Sequence, residues 1–399
     1  MHFPFTLAFS YGLLHAQLGL AHPTKSCETG RQAIYISTNE QENMVLSVSI
    51  DEQGMLGQAS MTPTGGAGAV SIDGSTNEPA GADPLVSQSA LTVAGMNLFA
   101  VNAGSNTVSM FSIDKADPTK LTLIGQPVEV PGEFPNTVAA SMKNRLVCVG
   151  ATGATAGVSC APFDRKNGIG AMDALRPFDL GQTTPPVGPT NTVSHVFFSE
   201  DESTLFTTVK GDPPANNTGF LAAFSVDSPC RGSTVGAQGV MSSPDDTLVL
   251  FGSSAIPGST DIFVTDASFG AAVLSIGNDM QATTKGRSAV DGQAATCWVT
   301  VSPASKTAFV TDVGVNRLVE MSIEDASILD EIDLSANGQS GMIDLTAVGQ
   351  MIYALAPGNR GQEPTVVVVN AMTREVMQEK ALGKLGATNR VQGMAALRV

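Results

Sequence analysis

One strand motif recurs along this chain at a spacing of about fifty residues, and the two chain ends carry complementary fragments of the repeating unit. The motif reads AIYIST (33–38), NLFAVNA (97–103), RLVCVGA (145–151), TLFTTVK (204–210), TLVLFGS (247–253), TAFVTDV (307–313) and MIYALAP (351–357). A polar turn follows each copy. Then comes a second apolar strand: NMVLSVSID, NTVSMFSID, GVSCAPFDR, GFLAAFSVD, TDIFVTDAS, NRLVEMSIE and PTVVVVNAM. Several of these finish on an acidic residue where the next turn is due. A further strand is expected ahead of each copy after the first, opening near Ser87, Asn136, Asn191, Ala237, Ala294 and Ser340, with a last one near Val391. Short strands at this period, with no helical pattern between them, predict an all-β chain folded as a seven-bladed β-propeller.

The first copy, from Arg31, has no innermost strand ahead of it, whereas VQGMAALRV at the C terminus is such a strand without partners. Joined, the two make one blade. The ring is therefore expected to be closed by the C-terminal strand completing the N-terminal blade, which leaves no open edge. A two-domain β-sandwich gives no reason for complementary halves at the termini.

Residues 1–21, MHFPFTLAFSYGLLHAQLGLA, are apolar, free of Lys and Arg, and end in small residues. They read as a secretory signal peptide cleaved after Ala16 or Ala21, leaving 22–399 as a single propeller domain in the secretory pathway. No other stretch approaches the roughly 20 apolar residues of a membrane span. Acidic residues outnumber basic ones 37 to 21, for a formal net charge of −16, and no Lys/Arg cluster exists to grip phosphates. Nucleic acid and anionic membrane surfaces are thus not expected as partners.

The five cysteines suit an oxidising compartment. Cys148 and Cys160 flank a Gly-rich turn and face each other across the expected hairpin, where a disulfide is geometrically possible. Cys27, Cys230 and Cys297 leave at least one thiol unpaired. Asn216 opens the sequon Asn216-Asn217-Thr218 in a Pro/Asn loop that would tolerate a glycan.

SPDDTLVLFG and SPASKTAFVTD are degenerate forms of a Ser-Pro-Asp-Gly turn and, with the fifty-residue units, resemble the lactonase-type seven-bladed propellers. That family includes 6-phosphogluconolactonase and the fungal 3-carboxymuconate lactonizing enzyme. DPLVSQSALTV, VNAGSNTVSMFSID, GEFPNTVAAS, GPTNTVSHVFF, TVKGDPP and ATCWVTVSP are more narrowly similar to its secreted fungal, carboxymuconate-cyclase-like branch. The likeness covers about residues 30–399. It implies a propeller fold and, within the fungal branch, cofactor-free cyclases such as the hetero-Diels–Alderases of tropolonic sesquiterpenoid pathways.

The lactonase resemblance implies a His general base and arginines gripping a polyanion. His195 falls near the family's His position, but the family's Asp-Leu-Gly element is replaced by TVKGD, with Lys210 and Asp212. Arg287, Arg317, Arg360 and Arg390 are scattered among turns, and the net acidity opposes a polyanionic substrate. Asn102, Asn136, Asn191 and Asp312 could in principle offer oxygens to calcium, but Asn at a strand entrance is more often a turn former, so no metal is expected. There is no HExxH, no P-loop, no dinucleotide fingerprint and no Gly-x-Ser-x-Gly elbow. No cofactor is expected.

What remains is a pocket at the mouth of the ring. Loops entering the innermost strands offer Gln88, Asn136, Asn191, Trp298, Met342 and Met394; loops joining second to third strands offer Asn102, Lys210, Asp312 and Arg360. Methionines, one indole and neutral amides suit a large hydrophobic small molecule. A pericyclic reaction needs little beyond near-attack geometry and a donor to a developing oxyanion. Lys210, Trp298, Asn191 and His195 are the expected catalytic groups. Gln88, Asn102, Asn136, Asp312, Met342, Arg360 and Met394 are the expected substrate contacts. The expected function is a hetero-Diels–Alderase-type cyclase of fungal secondary metabolism. Two alternatives are a lactonase or muconate-type lactonizing enzyme, and a non-catalytic secreted binding protein.

Overall fold

The second strand of each sheet is buried along nearly its whole length because neighbouring sheets cover it on both faces. Asn97–Asn102 and Met351–Ala356 are buried at every position. The outermost strands obey a different rule. Ala282–Ala289 alternates between sheltered and solvent-facing positions, and Val376–Ala381 is largely exposed. Those strands have one packed face at most, so their sequences, ATTKGRSA and VMQEKA, carry charge.

This computed structural model describes Met1, His2, Pro4 and residues 32–228, 232–359 and 361–398. The body of the expected signal peptide, Cys27, Cys230 and Arg360 lie outside the described residues. Residues from Arg31 onward cluster as one compact unit. Among the described residues the fold is all-β, relieved only by three single-turn 3₁₀ helices such as Pro213–Ala215. Their strands form seven antiparallel sheets of four or five strands and one small three-stranded sheet.

The last strand, Gln392–Leu397, pairs antiparallel with Gln32–Ser37, giving a sheet whose order runs from Leu56–Pro63 through Met44–Ile50 and Gln32–Ser37 to the C-terminal strand. The first strands of the sheets contact one another in succession: Gln392–Leu397, Leu91–Ala94, Pro135–Ser141, Val193–Phe198, Leu250–Ala255, Thr296–Val301 and Ile343–Val348, the last of which also touches Gln392–Leu397. The pairing of the chain ends is the one the repeat demanded.

The fifth repeat is shifted by one strand from the sequence expectation. TLVLFGS was expected as a second strand, but Leu250–Ala255 is the first strand of its sheet, and Ile262–Asp266 is the second. The strand expected near Ala237 is instead Val240–Ser242, an addition to Phe220–Asp227 of the preceding sheet. The Ser-Pro-Asp-Asp turn that follows it leads into the first strand Leu250–Ala255 rather than joining first to second. Gly252 lies within this first strand. A Cβ there would come within 2.2 Å of Gln88 Oε1 and 2.6 Å of the Cys297 carbonyl, so only glycine fits.

Between the first two sheets the chain makes a detour that the repeat does not require. Ile72–Asp73 and Glu78–Pro79 form a small hairpin, and Ile72–Asp73 adds Val187–Gly188 as a parallel neighbour. The detour then runs through residues 83–89 among the first strands. The Gln88 amide group donates to the Ser253 and Val299 carbonyls at 3.3 and 3.2 Å, and its oxygen accepts from the Val299 N–H at 3.0 Å. The Ser87 carbonyl accepts from the Trp298 indole and from the Gln392 side chain, while Ser87 Oγ donates to the Asn136 carbonyl.

Candidate functional site

Two clefts open at opposite ends of the same first strands. One is bordered by residues early in those strands and just before them, Val249, Phe251, Ala295 and Cys297. The other is bordered by later residues of the same strands, Ser253–Ala255 and Val299–Thr300. Residues 83–89 stand between them, with Asp83 and Val86 facing the first cleft and Gln88 and Ser89 the second.

The first cleft, of about 380 Å³, is mostly apolar and is roofed by the detour through Ile72, Ala80, Ala82 and Asp83, with Pro189 and Thr190 alongside. Lys210 enters it from the end of the strand Thr204–Val209 and is 1% exposed. Its Nζ donates to the Val86 carbonyl and sits over the Phe251 ring, 4.2 Å from the centroid. No carboxylate among the described residues forms an ion pair with it within 4 Å. Asp83 is the acid that acts on it, and Asp83 Oδ1 has no hydrogen-bond partner. Burial pulls the Lys210 ammonium well below its ordinary value, opposed by attraction to Asp83, and burial pushes Asp83 up. The Cys297 thiol, free and buried beside them, is pushed up by burial and held protonated. The cleft therefore presents one hydrogen-bond-donating cation in apolar walls, where a donor is worth more than in water.

The second cleft, of about 430 Å³, is lined by hydroxyls and backbone along with His195, Asp344, Met394 and Arg398. His195 is 4% exposed, stacks on Phe197 with centroids 5.0 Å apart, and places Nε2 3.0 Å from Ser89 Oγ. Burial lowers its pKa to about 3, so the ring is neutral at ordinary pH. Asp344 accepts from the Leu345 and Met394 N–H groups, yet burial raises it to about 7.

The residues singled out from sequence are thus dispersed. Lys210 lines the first cleft; His195, Gln88 and Met394 line the second. Trp298 lines neither: it is fully buried, edge-on to Phe251, and its N–H is taken by Ser87. Asn102 is fully buried in a network with Asn43, Thr64, Thr107 and Ser109. Asn136 ties the Leu85 carbonyl to that of Val193. Asn191 donates to the Leu180 carbonyl and accepts from Asn217. Asp312 accepts four backbone N–H groups of residues 294, 295, 314 and 315. Met342 is fully buried in the core. Asn216 is exposed, in the left-handed position that ends the turn Pro213–Ala215. Cys148 and Cys160 are bonded across paired positions of their hairpin. Among the described residues no group of three or more His, Cys, Asp or Glu could hold a metal ion, and no helix is long and apolar enough to cross a membrane.

Asp83, Ser89 and Cys297 were not singled out as site residues. Asp83 and Ser89 belong to the detour, which breaks the repeat and so has no periodic signal to place it. Cys297 could have been suspected as the residue beside the single tryptophan.

No family model matches the chain, and no curated protein does. Solved structures match its fold at low identity. The periplasmic gluconolactonase of Pseudomonas aeruginosa is 11% identical, covers 92% of this chain and 99% of its own, and superposes with a TM-score of 0.62. A provisionally assigned 6-phosphogluconolactonase from Bacteroides fragilis is 9% identical, with 93% and 99% covered and a TM-score of 0.58. A functionally unknown protein from Desulfotomaculum acetoxidans is 12% identical, with 92% and 99% covered and a TM-score of 0.57. The chain shares the β-propeller fold of lactonase-like proteins.

Proposed function

We propose that the protein is a cofactor-free cyclase that binds apolar, carbonyl-bearing small molecules in the cleft beneath the detour. The observation that carries this reading is the Lys210 ammonium, buried in apolar walls with a single backbone acceptor. A substrate carbonyl displacing Val86 from Lys210 would gain a charged donor where negative charge builds on oxygen. The walls would hold two apolar reactants in near-attack geometry. In this reading Asp83 balances the charge of Lys210, and Trp298, Asn136 and Gln88 act at one remove by fixing residues 83–89. The hetero-Diels–Alder type, joining a quinone methide to an apolar polyene, is the cyclisation that best suits apolar walls with one charged donor.

In the same reading residues 22–399 form one seven-bladed ring latched by the C-terminal strand. The bonded Cys148–Cys160 pair supports passage through an oxidising compartment, with residues 1–21 as the leader and Asn216 as a glycan acceptor.

The test is a cyclisation assay with a quinone-methide precursor and an apolar polyene, with and without protein and EDTA. Product ratios that depart from the spontaneous ones, unaffected by EDTA and lost in Lys210→Met, are expected. Spontaneous ratios with the native protein would overturn the reading. A lactonase is the second reading, favoured by the lactonase-like fold of the structural neighbours. Hydrolysis of gluconolactone by the native protein would select it.

A further inference from the structure

The second cleft holds a pair of groups for which the first cleft's chemistry has no use. Ser89 follows the segment that Gln88 anchors, and it is partly exposed while its neighbours on either side are buried. Its φ of 63° is in the left-handed region, which a non-glycine residue occupies at a cost and which is over-represented where a side chain must be aimed. The backbone there is held hard. Gln88 N–H donates to the Ser194 carbonyl at 2.9 Å, and the Ser89 carbonyl accepts from the Val138 N–H at 2.9 Å. Between these bonds Ser89 Oγ is pointed at His195 Nε2, 3.0 Å away, and both residues line the cleft.

We infer that Ser89 and His195 form a nucleophile–base pair that performs acyl transfer from a carboxylic ester bound in the second cleft. The plane of the His195 ring is set by stacking on Phe197, with an interplanar angle of 19°, and Nε2 acts as base in the tautomer that carries its proton on Nδ1. Its other nitrogen, Nδ1, is buried and without a hydrogen-bond partner. The imidazolium formed during acylation therefore has no counter-charge on that side, and acylation is slow compared with a triad. Among the described residues Arg398 is the one cation lining this cleft, available to the carbonyl oxygen or to an acid group of the substrate.

In the reaction, Ser89 Oγ attacks the ester carbonyl carbon while its proton passes to His195 Nε2. The carbon–oxygen bond to the alcohol breaks, and the departing alkoxide takes the proton from Nε2. Water then attacks the acyl-serine with Nε2 again as base, releasing the acid and restoring the Ser89 hydroxyl.

The experiment uses the full chain and an alkyl fluorophosphonate, which phosphonylates activated serines, followed by peptide mass mapping. One label per chain on the peptide carrying Ser89 is expected. Ser89→Ala should abolish it, and His195→Gln should slow it roughly 100-fold or more. Because burial holds His195 neutral down to about pH 3, the labelling rate should show no titration near pH 6.5 that His195→Gln removes, and any step near pH 7 should disappear in Asp344→Asn, since Asp344 lines the same cleft and is raised to about 7. A label on another serine, no label at all, or a rate that titrates near pH 6.5 in Asp344→Asn as well would overturn the proposal. Mapping on the unmodified chain keeps the test decisive even where a variant fails to fold. p-Nitrophenyl acetate gives a second readout: release of p-nitrophenol that is lost in Ser89→Ala and after labelling supports acyl-serine formation, and release unchanged by both overturns it.

Discussion

The indole N–H of Trp298 donates to the carbonyl of Ser87 at 3.0 Å, joining residues 211 positions apart in the chain. That bond makes Trp298 a clamp on the segment separating the two clefts rather than part of a wall. Trp298→Ala should cost about 3–5 kcal/mol by leaving a cavity beside Phe251. Trp298→Phe should cost about 1–3 kcal/mol, because the Ser87 carbonyl keeps its bond from Gln392. Denaturant melts measure both; an unchanged midpoint for Trp298→Ala would disprove the clamp.

Lys210→Met retains the apolar stem and removes the charge. The buried Asp83 can take up a proton when its counter-charge goes, since burial already favours its neutral form. The fold should therefore survive with a shift of a few degrees in Tm, while cyclisation falls by roughly 100-fold. Asp83→Asn added to Lys210→Met should then change stability little, because the charge is already gone. A strongly additive loss in the double variant would show that the two residues do not share one charge balance.

Stability should depend on pH through two buried groups of opposite sense in the second cleft, beside the Lys210–Asp83 pair of the first. His195 is depressed from 6.5 to about 3, so its contribution is present above pH 6.5 and is lost as pH falls towards 3. Asp344 is raised from 3.8 to about 7, so its contribution is present below pH 3.8 and is lost as pH rises through 7. Thermal melts across pH 4–8 should show His195→Gln flattening the acid side and Asp344→Asn the neutral side. If each variant's curve runs parallel to that of the native protein, these groups do not govern the profile.

Removing residues 392–399 deletes the strand paired with Gln32–Ser37 and the Gln392 bond to Ser87. The truncated chain should lose soluble expression or melt at least ten degrees lower. A native-like melt would mean that the terminal strand is dispensable.

Reduction of the Cys148–Cys160 bond should lower stability by about 2–4 kcal/mol, given a loop of 12 residues. Melts with and without reductant, with free thiols counted by mass, check this directly.

The sheets and the pairing of the chain ends were legible because burial writes itself into a regular pattern. MIYALA and TVVVVN are apolar on both faces, and their spacing repeats. The shift in the fifth repeat escaped because the Ser-Pro-Asp-Asp turn has the same composition wherever it sits in a unit. The clefts were less legible still. Asn102, Asn136 and Asp312 have the residue types of a binding site, but their polar atoms are engaged in holding turns and neighbouring strands. An amide that binds a ligand and one that binds a carbonyl of its own chain are indistinguishable by type. Lys210 stood out because TVKGD stands where the lactonase family has Asp-Leu-Gly, which puts a cation at the end of a buried strand.

The bonds of Gln88 reach residues 165 and 211 positions further along the chain. The detour is therefore only partly anchored, on residues 136–194, until strands from most of the molecule exist, and the sequence distance makes the remaining contacts slow to form. Residues 83–89 emerge early in synthesis, but two of their anchors, Trp298 and Gln392, are made late. Both clefts share this segment as a wall, so their final shape is set only when the end of the chain has docked.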